Sequence, residues 1–365
     1  GRPVGVVCAV TPSTNPAATP ANKIINSLKA RNAVIVAPSP KGASTCAKLI
    51  EYIHAELGRI GAPKDLVQML PAPITKESTA ELMRQCDLVV ATGSQANVRA
   101  AYASGTPAFG VGAGNVASIV DETADVAAAA RMIVQSKTFD NATSCSSENS
   151  IVLVDSIADA MLGALAKLGG VRVAGEDRAR LESCMWRGGK LSPEVIGQSI
   201  AVIAERAGLA DPAAREARIL LVDESGVGPG HPFSGEKLSP VLTVYRARDF
   251  GEAQETVRRI YAFQGAGHSV SLHSRREGRA LQLGLALPVA RVILNQVHVV
   301  ANGGSFSNSL PVSLSMGCGT WGKNNFSDNM NVRHYMNVTR VVTPIPERVP
   351  AVDELLGTYF ARWGK

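Results

Sequence analysis

The stretch VGVVCAVTPSTNPAATPANKIINSLKARNAVIVA, residues 4–37, decides the fold class of this chain. Its first seven residues are almost all apolar, a polar, Pro-containing loop follows, residues 21–30 have helical spacing, and residues 33–37 are apolar again. This order predicts a buried strand, a loop, a helix and a second buried strand. Short apolar strands that alternate with helices are typical of a parallel sheet covered by helices on both faces.

The alternation continues along most of the chain. Helical periodicity at 43–60 and 79–86 precedes a third apolar strand, DLVVATG at 87–93, and a short helix at 96–103. After GVGAGN at 110–115 the pattern starts again, which predicts a second α/β unit. Its expected helices are 122–136, 156–168, 193–207, 249–262 and 275–286, and its expected strands are 150–154, 218–222, 240–245, 268–272 and 291–294.

Composition argues against several classes of protein. The 365 residues contain 37 Lys and Arg against 31 Asp and Glu, and this surplus of six is scattered, so nothing predicts binding to nucleic acid. No apolar run reaches the ~18 residues needed to cross a bilayer, so we expect no membrane association and no secretory signal. Six cysteines without a C-x-x-C pair predict neither a metal site nor a disulfide framework, and favour a reducing cytoplasm.

The strand at 87–91 leads through Thr92, Gly93 and Ser94 into the helix at 96–103. The first N–H groups of that helix would point above the sheet, where a pyrophosphate can bind. Because the spacing does not match G-x-G-x-x-G, a purely structural turn is an equal alternative on this segment alone.

A cysteine closes the polar part of FDNATSCSSENS, residues 139–150. Cys145 follows a predicted helix and precedes a predicted strand, a setting in which backbone N–H groups lower the pKa of a thiol from ~8.5 and a substrate can reach it. Cys46 and Cys86 lie in apolar surroundings and are interpreted as packing residues. A single cysteine is more often structural, but Cys145 is the strongest candidate for a nucleophile.

Six motifs along the chain form a recognisable set: TPSTNP (11–16), TGS (92–94), GVGAGN (110–115), FDNATSCSSENS (139–150), EKLSPV (236–241) and GCGTWGKNNFSDN (317–329). Their order and spacing resemble those of the aldehyde dehydrogenase superfamily. Within it, the set resembles the CoA-acylating branch, including the aldehyde dehydrogenase half of bifunctional alcohol/aldehyde dehydrogenases and the acylating sulfoacetaldehyde dehydrogenases. The resemblance covers nearly the whole chain.

The resemblance implies an α/β, aldehyde dehydrogenase-like fold with two parallel-sheet domains. Residues 1–113 would form a Rossmann-like NAD(P)-binding domain that lacks the N-terminal part found in the family. Residues 114–333 would form the domain that carries the thiol, and 334–365 a C-terminal strand and helix used in oligomerisation.

The resemblance also implies catalytic roles. Cys145 would attack the aldehyde carbon, while the Asn15 side chain and the Cys145 backbone N–H would stabilise the oxyanion, and one such donor is typically worth ~2.7–4 kcal/mol. His268 would help to deprotonate the incoming thiol, although a structural, hydrogen-bonded histidine is an equal alternative. His231 is a lower-ranked candidate, in a loop that would border a CoA channel.

A cofactor site follows from the same resemblance. Glu236 would accept hydrogen bonds from the nicotinamide ribose, as suits a carboxylate. Ser39 stands where many members have Lys or Glu, which leaves the choice between NAD and NADP open. The full set of implied cofactor-binding residues is Glu236, Thr92, Gly93, Ser94, Pro38, Ser39 and Gly112.

One departure from the hydrolytic members predicts the reaction. They carry a general-base Glu at the head of the motif that matches GVGAGN, and Gly110-Val111-Gly112 replaces it here. Without that base, water should attack the enzyme thioester slowly, whereas a CoA thiol attacks it readily. We therefore expect CoA-acylating oxidation. A hydrolytic enzyme that releases a free acid and a non-catalytic scaffold relative are the alternatives.

The substrate, partners and location are further expectations. The motifs are most similar to those of sulfoacetaldehyde-oxidising members, with acetaldehyde as the close alternative. A sulfonate would need Arg or polar N–H donors near the thiol, and Arg187, Arg291 and Arg333 are candidates. We expect a homodimer or homotetramer in a bacterial cytoplasm, or in a microcompartment, which binds an aldehyde, CoA and NAD or NADP.

Overall fold

The computed structural model describes residues 1–112 and 114–364 and begins with a five-stranded parallel sheet. The strand order is β4-β3-β2-β5-β6. Helices cover both faces of this sheet, so apolar strand residues such as Val7, Val34 and Val90 are buried. In chain order the elements are β1 (Arg2–Pro3), β2 (Val6–Thr11), α1 (Ala18–Lys29), β3 (Ala33–Pro38), α2 (Ala43–Arg59), β4 (Val67–Met69), α3 (Lys76–Gln85), β5 (Leu88–Thr92), α4 (Gln95–Ala103) and β6 (Ala108–Val111).

A second parallel sheet of seven strands follows, in the order β15-β14-β7-β8-β13-β12-β9. Its central strand β8 is buried along its whole length between α10 on one side and α5 and α6 on the other. The elements are β7 (Val116–Val120), α5 (Val126–Thr138), β8 (Glu148–Val154), α6 (Asp155–Lys167), β9 (Gly170–Arg172), α7 (Gly175–Met185), β10 (Trp186–Arg187), β11 (Lys190–Leu191), α8 (Ile200–Ala207), α9 (Pro212–Glu216), β12 (Ile219–Asp223), β13 (Val241–Ala247), α10 (Phe250–Phe263), β14 (Val270–His273), α11 (Gly278–Ala286), β15 (Val292–Leu294) and α12 (His298–Ala301).

After α12, the described residues form two 3-10 helices (Thr320–Gly322 and Val332–Tyr335), the strand β16 (Met336–Asn337) and the helix α13 (Val352–Trp363). β16 pairs with β1 in antiparallel register, and α13 buries none of its residues. Between them the chain is extended and exposed, with Val341 at 90% and Ile345 at 83% exposure. Among the helices of the described residues, none is both long and apolar enough to cross a membrane.

Two element predictions were wrong, and the strand β7 was missed. The helix expected at 193–207 begins only at Ile200, because turns occupy 193–197 and Gly197 has a left-handed backbone with φ +69°. The strand β7 (Val116–Val120) was not predicted. The expected tail strand at 334–342 is reduced to two residues, since the exposed arm beyond it has no neighbouring strand among the described residues.

The division of the chain into 1–113, 114–333 and 334–365 stays a prediction. The change from the first sheet to the second falls between the end of β6 at Val111 and the start of β7 at Val116. The predicted boundary Ala113 and the last residue, Lys365, lie outside the described residues.

Candidate active site

A cavity of about 570 Å³ lies where the carboxyl ends of the first sheet face the loop that precedes β8. Its walls come from residues 11–15 at the end of β2, residues 92–95 at the end of β5, and residues 143–145 of the loop. Glu236 closes another side. Ligands bind in parallel α/β proteins at such carboxyl edges, so the cavity is the candidate active site.

Cys145 lies in this cavity with His268 behind it. The Cys145 Sγ is 3.3 Å from His268 Nε2, and His268 Nδ1 is 2.7 Å from Ser269 Oγ. In the tautomer that donates from Nδ1 to Ser269, Nε2 is free to accept the thiol proton. His268 is fully buried, and its Nε2 faces the nucleophile.

Both members of this pair are neutral at rest. Burial raises the pKa of Cys145 to about 12, and the negative charge of Glu236 adds to the rise. Burial also lowers the pKa of His268 well below its usual value, as does the positive charge of Arg291. The resting pair is therefore a thiol and a neutral imidazole, and the thiol loses its proton only as it reacts.

Gly114 lies between Cys145 and Glu236 and contacts both residues. Its N–H donates to Glu236 Oε1 at 3.3 Å, and a side chain at this position would lie 2.5 Å from the Cys145 carbonyl oxygen and 3.1 Å from the His268 ring. Only glycine permits this approach. Burial raises the pKa of Glu236 to about 7, while the Gly114 hydrogen bond opposes the rise.

Asn15 lines the same cavity as Cys145, on the loop after β2. The two residues are 130 positions apart in the sequence. They lie in one cavity because the two sheets face each other. The Asn15 side chain makes no hydrogen bond to any of the described residues, so its amide is available to a ligand. This placement suits an oxyanion donor.

The end of β5 and the start of α4 have the chemistry of a phosphate site. Thr92, Gly93 and Ser94 line the cavity at the N-terminus of the nine-residue α4, where unpaired N–H groups favour an anion. A side chain at Gly112 would meet the Gln95 amide at 2.3 Å, so the backbone there approaches α4 closely. With Glu236 as an acceptor for hydroxyls, these residues fit a dinucleotide.

Of the two other predicted cofactor residues, one lines the cavity and one does not. Ser39 lines the cavity, whereas Pro38 is the buried last residue of β3 and does not. Pro38 therefore acts on the site only by directing the chain towards Ser39.

Three residues considered from sequence lie away from the cavity. His231 Nδ1 is 2.9 Å from Glu224 Oε1, and His231 lines a different cleft of about 850 Å³. Arg187 is an exposed partner of Glu194, and Arg333 is exposed beyond the second sheet.

Arg291 is buried, and all of its donating nitrogens are engaged inside the protein. Nε donates to Asn302, Nη1 to Asn329, and Nη2 to the Gly317 carbonyl at 2.6 Å. It therefore holds the loop at 317–329 in place, and it does not line the cavity. The three arginines were wrong as candidates for direct sulfonate contact.

The sequence reasoning missed two buried charges behind the Cys145 loop, Lys137 and Glu148. Lys137 lies in α5 and Glu148 begins β8. The available signal was their position, because both residues lie within ten positions of the candidate nucleophile in the sequence, Lys137 before it and Glu148 after it. It was not used, because a charged residue near an element end is usually solvated.

Comparisons with known proteins agree with this geometry. The model of the aldehyde dehydrogenase family matches residues 1–177. An acylating sulfoacetaldehyde dehydrogenase of Cupriavidus necator is 65% identical over 364 residues, which are 100% of this chain and 74% of that protein. Another, of Bilophila wadsworthia, is 43% identical over 371 residues, 100% of this chain and 79% of that protein.

A solved structure has the same fold. The crystal structure of an acetylating aldehyde dehydrogenase from Geobacillus thermoglucosidasius superposes with a TM-score of 0.91 at 35% identity, over 96% of this chain and 77% of that one. The expected fold and enzyme class are confirmed. This chain belongs to the aldehyde dehydrogenase family and is a CoA-acylating member of it.

Proposed function

We propose that the chain oxidises sulfoacetaldehyde to sulfoacetyl-CoA through a thioester on Cys145. The observation that carries the proposal is the 3.3 Å approach of Cys145 Sγ to the buried His268 Nε2, in a cavity that Asn15 also lines. A nucleophile, an acceptor for its proton and a donor for the oxyanion are what thiol-dependent acyl transfer requires.

In the first half of the reaction, His268 Nε2 accepts the thiol proton while Cys145 Sγ bonds to the aldehyde carbon. Asn15 and the Cys145 backbone N–H donate to the oxygen that becomes negative. Bound NAD(P) supplies the hydride acceptor. Thr92, Gly93 and Ser94 would hold its pyrophosphate, and Glu236 its ribose.

In the second half, Cys145 is the leaving group. The CoA thiol attacks the acyl carbon and loses its proton, the Cys145 sulfur departs and takes up a proton to restore the resting thiol, and Asn15 again stabilises the oxygen. An aldehyde, NAD(P)⁺ and CoA thus give acyl-CoA, NAD(P)H and one proton. Glu236 is the only carboxylate among the described residues that line the cavity, and Gly110 to Gly112 offer no base for water.

The proposed substrate is supported by the names of two relatives and by the polarity of the cavity. Both relatives quoted above are acylating sulfoacetaldehyde dehydrogenases. The described lining contains no Lys or Arg, but it includes Thr14 and Ser144, whose side chains carry hydroxyl groups. A sulfonate would accept hydrogen bonds from these neutral donors.

The test is NADH production from sulfoacetaldehyde and from acetaldehyde, each with and without CoA. Strict dependence on CoA and a preference for sulfoacetaldehyde are expected, and Cys145→Ala should abolish both reactions. Ser144→Ala should raise KM for sulfoacetaldehyde more than for acetaldehyde. Turnover without CoA would establish the hydrolytic alternative, and preference for acetaldehyde would refute the proposed substrate.

The proposed assembly is a homodimer or homotetramer held by the C-terminal arm, which we define as residues 338–364. Its apolar side chains are largely exposed, including Val342 at 87% and Leu355 at 66%. A continuous apolar surface of this kind is covered in most proteins by another chain. A second copy supplies the same surface and needs no other partner.

A reducing cytoplasm is the proposed location. All six cysteines are free, and Cys8, Cys46 and Cys86 are buried as thiols in the first sheet and its helices. A location that keeps these thiols reduced would also keep the Cys145 thiol reduced.

A further inference from the structure

Cys145 occupies the second position of a tight turn that runs from Ser144 to Ser147. The Ser147 N–H donates to the Ser144 carbonyl oxygen at 3.0 Å, and the Ser146 N–H donates to Ser144 Oγ at 3.2 Å. The N–H at the second position of such a turn takes no part in the bond that closes it. The Cys145 N–H makes no hydrogen bond to the described residues, which leaves it free for the oxygen of a substrate.

The peptide group between Ser146 and Ser147 is bound at both of its polar ends. Its N–H closes the turn, and its carbonyl oxygen lies 2.8 Å from Nδ1 of the fully buried His298. Because a carbonyl oxygen can only accept, His298 donates from Nδ1. This hydrogen bond therefore fixes the second half of the turn from outside it.

The hydrogen bond to the turn is the one polar contact of the His298 ring among the described residues. Nε2 is buried and has no hydrogen-bond partner there. Burial lowers the pKa of His298 to about 4, although the bond to the Ser146 carbonyl opposes the fall, so the ring is neutral at neutral pH. A buried nitrogen without a partner costs stability, and an apolar side chain would avoid that cost. What the histidine adds is the Nδ1 donor.

The short helix α12 holds His298 in place for this contact. The N–H of the residue after His298 donates to Ser136 Oγ of α5 at 2.9 Å. Four residues after His298, and so on the same side of the helix, Asn302 Nδ2 donates to Ser146 Oγ at 2.9 Å. Arg291 Nε donates to Asn302 Oδ1 at 3.0 Å. This side of α12 thus binds Ser146 through both its carbonyl oxygen and its hydroxyl group.

We propose that His298 is a positioning residue for the reaction, which holds the turn in the shape that directs the Cys145 N–H at the oxyanion, with Asn302 in support. The inference rests on the proposed role of Cys145 as nucleophile and oxyanion donor. Loss of the His298 hydrogen bond should slow the steps in which negative charge develops on the aldehyde oxygen. It should leave the binding of aldehyde and cofactor unchanged.

The experiment measures the rate of NAD(P)H formation in the first turnover, at saturating aldehyde and cofactor, in His298→Leu and His298→Asn of the full chain. Leu and Asn have nearly the same shape, but only the Asn amide places an N–H donor where Nδ1 lies. His298→Leu should lower the rate about 10- to 100-fold, the scale of displacing one oxyanion donor. His298→Asn should recover most of this loss, and KM for aldehyde and for NAD(P) should change in neither variant.

The rate of Cys145 alkylation by iodoacetamide separates loss of the oxyanion contact from displacement of the thiol. Iodoacetamide reacts at a saturated carbon and needs no oxyanion donor, so this rate should be the same in wild type and in both variants. His273→Leu is the matched control, because His273 is also buried and its ring nitrogens make no hydrogen bond to the described residues. It should leave both rates unchanged.

Three results would overturn the inference. One is a wild-type first-turnover rate in His298→Leu, and another is an equal loss in His298→Asn. The third is a change of the alkylation rate in His298→Leu that parallels the loss of turnover, because the thiol itself is then displaced. If His298→Leu does not fold, His298→Phe, which keeps a ring without a donor, takes its place.

Cys145→Ala distinguishes the two proposals. If this variant still forms NAD(P)H, the proposed role of Cys145 fails, and this inference fails with it. If Cys145→Ala abolishes NAD(P)H formation while His298→Leu keeps the wild-type rate, only the inference about His298 fails.

Discussion

At the scale of single residues, the contact between Cys145 and His268 determines how the thiol is activated. Burial favours the neutral form of both groups, so the enzyme does not store a thiolate–imidazolium pair. Such a thiol is protected from oxidation and from solution electrophiles until a substrate is bound. The rate at which it reacts with small reagents should therefore keep rising with pH, whereas the rate of a preformed thiolate would reach a plateau.

We predict that the alkylation rate of Cys145 by iodoacetamide rises about tenfold per pH unit from pH 6 to 9.5, without a plateau. The thiolate fraction grows in this proportion when the pKa, raised to about 12, lies above the whole range. Cys184 is also half-buried and could be alkylated too. Mass spectrometry is therefore needed to measure the label on Cys145 separately. Cys145→Ser is the control, and a plateau near pH 7 would instead indicate a stored thiolate.

At the scale of elements, the loop before Cys145 is held in an unfavourable backbone. Asp140, Asn141 and Ala142 have φ of 49°, 47° and 57°, three consecutive left-handed residues without a glycine. Each costs ~1–2 kcal/mol, although less for Asp and Asn. The loop keeps this shape because Asn141 Nδ2 donates to the Gly197 carbonyl at 3.0 Å and Thr143 Oγ1 donates to the Asp140 carbonyl at 2.8 Å.

Asn141→Ala should lower the stability of the protein by about 1–2 kcal/mol, since it removes one hydrogen bond and places a less tolerant residue in the left-handed region. kcat should fall as well, because the loop carries the nucleophile. Asn141→Gly removes the same hydrogen bond but accepts the backbone, so its loss should be smaller. Thermal unfolding and steady-state kinetics measure both effects, and a larger loss in Asn141→Gly would contradict the backbone argument.

At the scale of the whole molecule, the C-terminal arm leaves most of its apolar side chains exposed instead of packing them against the rest of the chain. Replacing Val341, Val342 and Ile345 by Asp should convert the proposed oligomer to monomers, because buried carboxylates at an apolar interface are strongly disfavoured. Sedimentation velocity gives the oligomeric state directly. Ile60→Asp, at a 77% exposed position outside the arm, is the matched control. A monomeric wild type, or a triple variant that stays oligomeric, would exclude the arm as the interface.

The fold class and most strands and helices could be predicted from local patterns, since apolar runs predict the buried strands β2, β3 and β5. Cys145 was a candidate from its polar loop, whereas Asn15 and Glu236 were implied by the resemblance to the aldehyde dehydrogenase superfamily. Periodicity failed where a turn interrupts it, as at Gly197, since a left-handed residue ends a helix whatever its neighbours favour.

Only the tertiary structure decided which side chains meet. His268 contacts Cys145 across 123 residues, whereas His231 pairs with Glu224 in a different cleft, and nothing in their local sequences distinguishes them. Arg291 is engaged with a loop, and Lys137 is drawn into the protein beside Glu148. The physical reason is that strand order and the facing of the two sheets set these contacts, and both depend on packing between segments far apart in the chain.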